Sequence, residues 1–575
     1  MGDEAQVDFV AAWRKRTAAC AVLLLLVTAW AAVQKAPLTA LYLVQSQGVY
    51  VLPVVGASVL LVAWWRPRWP LPAKLPPWWV LLLLGIAVTA LLGFGAYWVF
   101  GNFPLARDVD MVLFDMAVFD KGRLVAPIAP QWQPFALALE PEFLLNSNAP
   151  TGFISSYLPM NALLRLAFSR IADPAWFNPV LALVGGAALL DVARRLFPED
   201  ARACWAVLLV YALSAQMLVT AMTPFAMTGH MALNLLWLAA FLRGGKVGHS
   251  VAIVTGFVAT GLHQFAFHPF FVAPFLLWKL REREWKVVLL YGIAYAAIVL
   301  WWLCYPILLA PLLATAGAHP SQERATKVLA HLIYRDPRTL ALMILNLLRF
   351  VAWQNIALWP LLIAAVPIAV RERGLPRALL LGILVWIAFV AFTFPSQGRG
   401  WGYRYLHGYL GSFALLAGFG YRELEQRIGR RADGMVILLS GITIVVSIPV
   451  LVATTHAFMQ PHLRLHRLIQ SQRTPFVVID DTHSPSTDGR WSDTARDHVR
   501  NSPDLDNRPL RFSAGHLTPP LLAELCRRGP ITLVTRRDMH RLGFILNQPE
   551  RSPQFDSLVA SMRKTSPGCA RPAVG

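Results

Sequence analysis

The sequence predicts an all-α polytopic membrane protein of about 13 spans, with a small α/β domain at its C-terminal end. Three observations carry that fold class. Of 575 residues, 56% are hydrophobic and only 15% charged, against about a quarter charged in ordinary soluble chains. The apolar residues come in blocks of about 20, the length that crosses a ~30 Å hydrocarbon core as a helix. Arg and Lys cluster in every second connection between those blocks, where the positive-inside rule puts them.

The blocks run 18–36, 44–65, 77–100, 177–196, 203–221, 229–243, 250–267, 269–280, 287–313, 355–370, 377–394, 405–421 and 434–454. In lipid every backbone N–H and C=O must be paired within the segment, so such blocks are helices. The first follows Arg14-Lys15-Arg16 and has no small-residue cleavage site before the next polar stretch. It reads as a retained span rather than a signal peptide.

The basic clusters test the count. Arg66, Arg68 and Lys74 follow the second block, and Arg194, Arg195 and Arg202 follow the fourth. Arg243 and Lys246 follow the sixth, and Lys279, Arg281, Arg283 and Lys286 the eighth. Arg371, Arg373 and Arg377 follow the tenth, and Arg422, Arg427, Arg430 and Arg431 the twelfth. The alternation predicts a cytoplasmic N-terminus and, with an odd number of spans, an outer C-terminus. The expected partition is 1–101 N-terminal spans, 102–176 an acidic outer loop with interfacial helices, 177–454 a transmembrane core, and 455–575 a C-terminal outer domain. Long outer segments fall at 102–176, 314–354 and 455–575, whereas inner links are short. The net charge of +20 therefore reports topology, not nucleic-acid binding. Membrane lipid is the expected partner, with anionic headgroups a further attraction.

Within the first outer segment, "DMVLFDMAVFDKG" is amphipathic and ends at Gly122, which predicts a helix lying along the membrane surface. A proline-rich stretch follows, then a second helix over about 157–171. In the C-terminal segment "TPFVVID" and "PITLVT" read as buried strands, and "TPPLLAELCRRG" as a helix. Cys20, Cys204 and Cys304 fall in or beside apolar blocks and read as small core residues. Cys526 and Cys569 lie in the polar C-terminal segment, where an oxidising compartment would permit a disulfide.

Asp108 and Asp110 follow the third block directly. A carboxylate pair beside a low-dielectric boundary is placed for general-base work; the alternative is a pair of solvated loop acids, or a cap on the next helix. The stretch "RDVDMVLFDMAVFDKGRLVAP", the proline-rich segment, "SYLPMNALLRLAF" and "NPVLALVGGAALLDVARRLF" resemble GT-C superfamily membrane glycosyltransferases. The likeness is to the bacterial branch of aminoarabinose transferases, protein O-mannosyltransferases and Rgt-type transferases, and it covers roughly residues 77–200. It implies an inverting enzyme of the bacterial inner (cytoplasmic) membrane. The donor would be a sugar on a polyprenyl phosphate; no other cofactor is implied, and the acceptor is a glycan, lipid or protein hydroxyl. Asp108 aligns with the family's catalytic base. The acidic partner that usually adjoins it is replaced by Val109, with Asp110 next in line.

Such a transfer needs cations for the leaving phosphate. "SQGRGWGYRYLHG" offers Arg399, Arg404 and His407 among glycines and the aromatics Trp401 and Tyr403; an ordinary aromatic-basic membrane anchor is the alternative. "GLHQFAFHP" places His263 and His268 in a tight hairpin, with His230 at another outer span end; locally bonded hairpin histidines are the alternative. Arg335, in the second outer segment, is a secondary candidate. No metal site is expected: the His263/His268 spacing misses one helical face, there is no HExxH, and Asp480-Asp481 reads as a solvated turn, with a metal pair as the alternative. No P-loop is present. Two other classes remain open: a transporter or flippase of lipid-linked saccharide, which predicts paired repeats and broken helices at mid-membrane, and a non-catalytic subunit of envelope assembly.

Overall fold

A computed structural model describes residues 3–33, 43–44, 48–140, 143–145, 151–313, 338–393, 395, 397, 399–482, 494–544 and 552–573. The chain is mostly helical and divides into two compact units. The first comprises Met1–Asn102, Ile171–Trp302 and Leu329–Thr455; the second comprises Phe103–Arg170, Leu303–Val328 and His456–Gly575.

The first unit is a bundle of apolar helices, and the chain is a multi-pass membrane protein. Among the described residues six helices are long and apolar enough to cross a bilayer: Asp8–Ala32, Trp78–Trp98, Pro174–Leu196, Trp285–Leu313, Leu375–Thr393 and Arg431–Gln470. A seventh span results if Ala201–Ala212 and Ala215–Ala221, bent by 51°, count as one. The bend has a local cause. Ser214 interrupts the helix and caps its second half, its Oγ accepting from the Met217 N–H. Each of the 13 apolar blocks overlaps a helix, but several helices, such as Leu52–Trp64 and Leu358–Arg371, are short. On Trp78–Trp98 the side chains of Leu82, Leu83, Leu84, Leu91 and Phe94 are exposed, as lipid-facing residues are. Elsewhere small residues let helices close up: a Cβ on Gly420 would lie 1.9 Å from the Leu361 carbonyl oxygen of the neighbouring helix. Cys204 is buried, but Cys20 is exposed, so it is not the core residue its block implied. It sits on an outward stripe of its span, beside the exposed Val22 and Leu23.

The second unit is built on a four-stranded parallel sheet of order β4-β3-β5-β6, with β3 Phe476–Ile479, β4 Leu510–Ser513, β5 Ile531–Val534 and β6 Ala570–Pro572. Strands β3, β4 and β5 are buried along their whole length, the usual state of a parallel sheet covered on both faces. Phe476, Val478, Phe512 and Leu533 face one apolar cluster; Val477, Ile479 and Val534 face another, with Leu465, Ile469 and Met539. Cys526 on the helix Pro519–Arg528 is disulfide-bonded to Cys569, which precedes β6.

The amphipathic helix of the acidic segment spans Arg107–Asp120. Its apolar stripe does not rest on lipid. Met111, Phe114 and Val118 join the first sheet cluster, together with Trp132 and Phe153. A hydrophobic stripe satisfies its need for burial on protein as readily as on a membrane, and sequence periodicity does not distinguish the two. The proline-rich stretch contains a short antiparallel pair, β1 Ala126–Pro127 with β2 Gly152–Phe153. The second helix is Met160–Ser169.

Candidate functional site

In the second unit, Asp108 and Asp110 are not loop residues. They occupy the first turn of the Arg107–Asp120 helix, where carboxylates meet the positive end of the helix dipole. Asp108 is buried. Asp110 accepts from Arg107 Nη1 at 3.0 Å and faces Arg500 Nη1 at 3.7 Å. Arg107 is the hub. Its fully buried guanidinium also pairs with Glu140 and donates to the Val499 carbonyl at 2.8 Å. Its backbone N–H donates to Asp497 Oδ1 at 3.0 Å, so an aspartate 390 residues away serves as a cap for the helix start. Asn501 donates to the carbonyls of Leu139 and Arg511, both at 2.9 Å. Arg500 lies 4.3 Å above the Phe103 ring.

Two further residues near this helix are ionisable and buried. His498 stacks on Phe103 and meets His462 across 3.2 Å. Burial pushes His498 well below the ordinary histidine range, with His462, Arg500 and Arg511 acting in the same direction, so it is held neutral. On the same helix, one turn beyond Asp110, burial raises the carboxyl of Asp115 to about 8, against a hydrogen bond from Ser155 that lowers it.

Sequence reasoning missed Arg107, Glu140, Asp497 and Arg500 because their partners lie far along the chain. The one available signal was Glu140, an acid inside an otherwise apolar stretch, "FALALE". It also misjudged Asp480-Asp481. Both are buried rather than solvated. Asp480 accepts from the Thr482 hydroxyl at 2.6 Å, and Asp481 from Ser513 Oγ at 2.5 Å and Gly515 N–H at 2.7 Å. A carboxylate ending a central parallel strand is covered by the next loops, and it consumes their donors.

In the first unit, the segment after Leu375–Thr393 folds back through side-chain amides. Gln397 donates to the Gly402 carbonyl at 3.0 Å and accepts from the Arg404 N–H at 2.8 Å. Gln216 donates to the Tyr403 carbonyl at 2.9 Å. Gly402 has φ +63°, and a Cβ there would lie 2.5 Å from Gln216, so glycine is required on both counts. Arg399 is buried, and Arg349 donates to the Gly400 carbonyl at 2.7 Å. Arg404 packs over the rings of Phe225 and Tyr405.

The histidines gather in this unit. His263, His268 and His407 are the ionisable neighbours of His230. His230 stacks on Phe267 at 5.0 Å, and neither its ring nor that of His407 has a hydrogen-bond partner among the described residues. His268 differs: its two nitrogens meet Asn234 Oδ1 and Tyr295 Oη, each at 2.7 Å. Among the described residues no group of three or more His, Cys, Asp or Glu has the geometry to hold a metal ion. Arg335 and Gly398 lie outside the described residues.

No family model and no curated protein matches the chain. Among solved structures it is similar to ArnT from Cupriavidus metallidurans in the apo state, at 12% identity and a TM-score of 0.46, covering 73% of this chain and 87% of that one. It is likewise similar to ArnT from Cupriavidus metallidurans bound to undecaprenyl phosphate, at 12% identity and a TM-score of 0.48, covering 76% and 90%.

Proposed function

We propose that this protein is an inverting membrane glycosyltransferase that moves a sugar from a polyprenyl-phosphate donor to an acceptor hydroxyl on the outer face of a bacterial inner membrane. The observation that carries the reading is the mounting of the acidic helix. A catalytic carboxylate must be held to within a fraction of an ångström, and here a buried guanidinium, two acids and a trans cap fix the helix's first turn. Buried ionic networks are costly and contribute little net stability, so this one is better explained by positioning.

Asp108 is the base. It takes the acceptor proton as the acceptor oxygen bonds to the anomeric carbon and the bond from that carbon to the phosphate oxygen breaks. Charge then collects on the departing lipid phosphate, which needs cationic partners; Arg399, Arg404 and His407 of the first unit are the candidates for that role. Asp110, engaged by Arg107 and Arg500, anchors the helix rather than moving protons. His230 and His263 are the remaining candidates for contact with the donor, whereas His268 has both nitrogens engaged by Asn234 and Tyr295.

The test is complementation of a deletion strain, read by mass analysis of its envelope glycans. The parent chain restores the missing sugar, and Asp108→Asn lowers its transfer at least 100-fold, about the contribution of a general base. Full restoration by Asp108→Asn sinks the catalytic assignment and favours transport of a lipid-linked saccharide.

A further inference from the structure

Two helix ends and the flank of a third helix meet in the first unit, at residues that carry no assigned role in transfer. They are the end of Leu52–Trp64, followed by Arg66 and Arg68; the start of Arg431–Ile442; and the helix Asp3–Ala32 at Arg14. Between them lies a pocket of about 430 Å³ lined by Arg14, Trp64, Trp65, Arg66, Arg68 and Arg431. Four of its six lining residues are arginines, and none is an acid.

Arg66 is the informative one. It is only 8% exposed, its guanidinium lies 5.4 Å from the ring of the buried Trp13, and its Nε and Nη1 have no hydrogen-bond partner among the described residues. Arg14 Nε is in the same condition. The acid in the first turn of Arg431–Ile442, Asp433, is taken: it accepts from the Tyr421 hydroxyl and faces Arg202 at 3.8 Å. Burial, then the charges of Arg14 and Arg431, push Arg66 down to about 10. The site is also closely packed. A Cβ on Gly434 would fall 1.9 Å from the Pro67 carbonyl oxygen, so the strand of chain between Arg66 and Arg68 lies directly on the helix that begins at Arg431.

A buried cation without an acid partner costs several kcal/mol. Arginines sharing one hollow add mutual repulsion. An anion offsets both, and the planar guanidinium fork suits phosphate oxygens best. Trp64 and Trp65 are 64% and 51% exposed at the end of an apolar helix, as indoles at a lipid–water boundary are. We propose that this pocket binds a phosphate group, and that the group belongs to an anionic phospholipid headgroup entering from the membrane. This site is independent of the transfer reaction.

The test uses the purified full chain in detergent, with thermal unfolding followed during titration. The probes are dioctanoyl-phosphatidylglycerol, dioctanoylglycerol as its phosphate-free counterpart, and inorganic phosphate. The phospholipid is expected to raise the unfolding temperature, and dioctanoylglycerol is not. Arg66→Gln and the exposed Arg68→Gln should each weaken the titration midpoint about 10-fold, the effect of losing one charge-assisted contact. Arg66→Met should raise the unfolding temperature of the lipid-free protein while abolishing the response, which separates loss of the site from loss of the fold. An equal response to inorganic phosphate supports the phosphate site and names free phosphate as its source. The proposal is overturned by no response to either anion, or by responses unchanged in Arg66→Gln and Arg68→Gln.

Discussion

Asp115 illustrates how a single residue takes its character from its surroundings. By pattern it is one of the polar positions of an amphipathic helix, yet its side chain is buried beside Ser155. Its carboxyl rises from 3.8 to about 8 because burial disfavours the charged form. A raised folded-state value contributes stability that is fully present below the unfolded value near 3.8 and lost as pH rises through about 8. Stability should therefore fall by up to about 1.4 kcal/mol per pH unit between about pH 4 and 8, lowering the unfolding temperature, and level off above that. Asp115→Asn, which keeps an acceptor for Ser155, should flatten that slope; parallel slopes in the two proteins would count against a buried neutral Asp115. Arg107 makes the same point for charge. The sequence shows an arginine beside two aspartates, whereas the structure adds Glu140, 33 residues on, and the carbonyl of Val499.

At the scale of elements, β3, β5 and the helix Pro519–Arg528 were legible because short apolar runs bounded by Pro, Thr and Gly leave few alternatives. Strand β4, "LRFS", was not legible: its Arg511 breaks the apolar run, yet it is buried with its backbone N–H donating to Asn501 at 2.9 Å. Strand β6 contains a proline and forms the sheet edge, where a missing N–H is tolerated. The Cys526–Cys569 bridge, 43 residues apart, ties the helix after β4 to that edge strand. Closing a loop of this length is worth about 4 kcal/mol on the chain-entropy account. Cys526→Ser together with Cys569→Ser should lower the unfolding temperature and speed proteolysis of the C-terminal segment. Unchanged protease resistance would show that the sheet does not depend on the bridge.

At the scale of the whole molecule, three segments far apart in sequence make up the second unit, and they include the two longest polar stretches of the chain. An alkaline phosphatase fused after Gly575 should be active in intact cells, and a fluorescent protein fused before Met1 should fluoresce in the cytoplasm. An inactive C-terminal phosphatase would reverse the expected orientation.

The sequence by itself determined the membrane class, the apolar blocks and the rhythm of basic links. Each depends on the transfer of whole segments between water and lipid, and such energies sum along the chain regardless of neighbours. It also singled out Asp108, the Arg399–His407 segment and the clustered histidines, because polar groups in an apolar context are conspicuous. Only the tertiary structure decided what those groups meet: Asp110 paired with Arg107, His268 satisfied by Asn234 and Tyr295, Asp481 bound to Ser513, and an amphipathic helix laid on a sheet. The physical reason is range. Hydrophobic periodicity is local, whereas a buried charge is defined by partners that the chain brings back from hundreds of residues away.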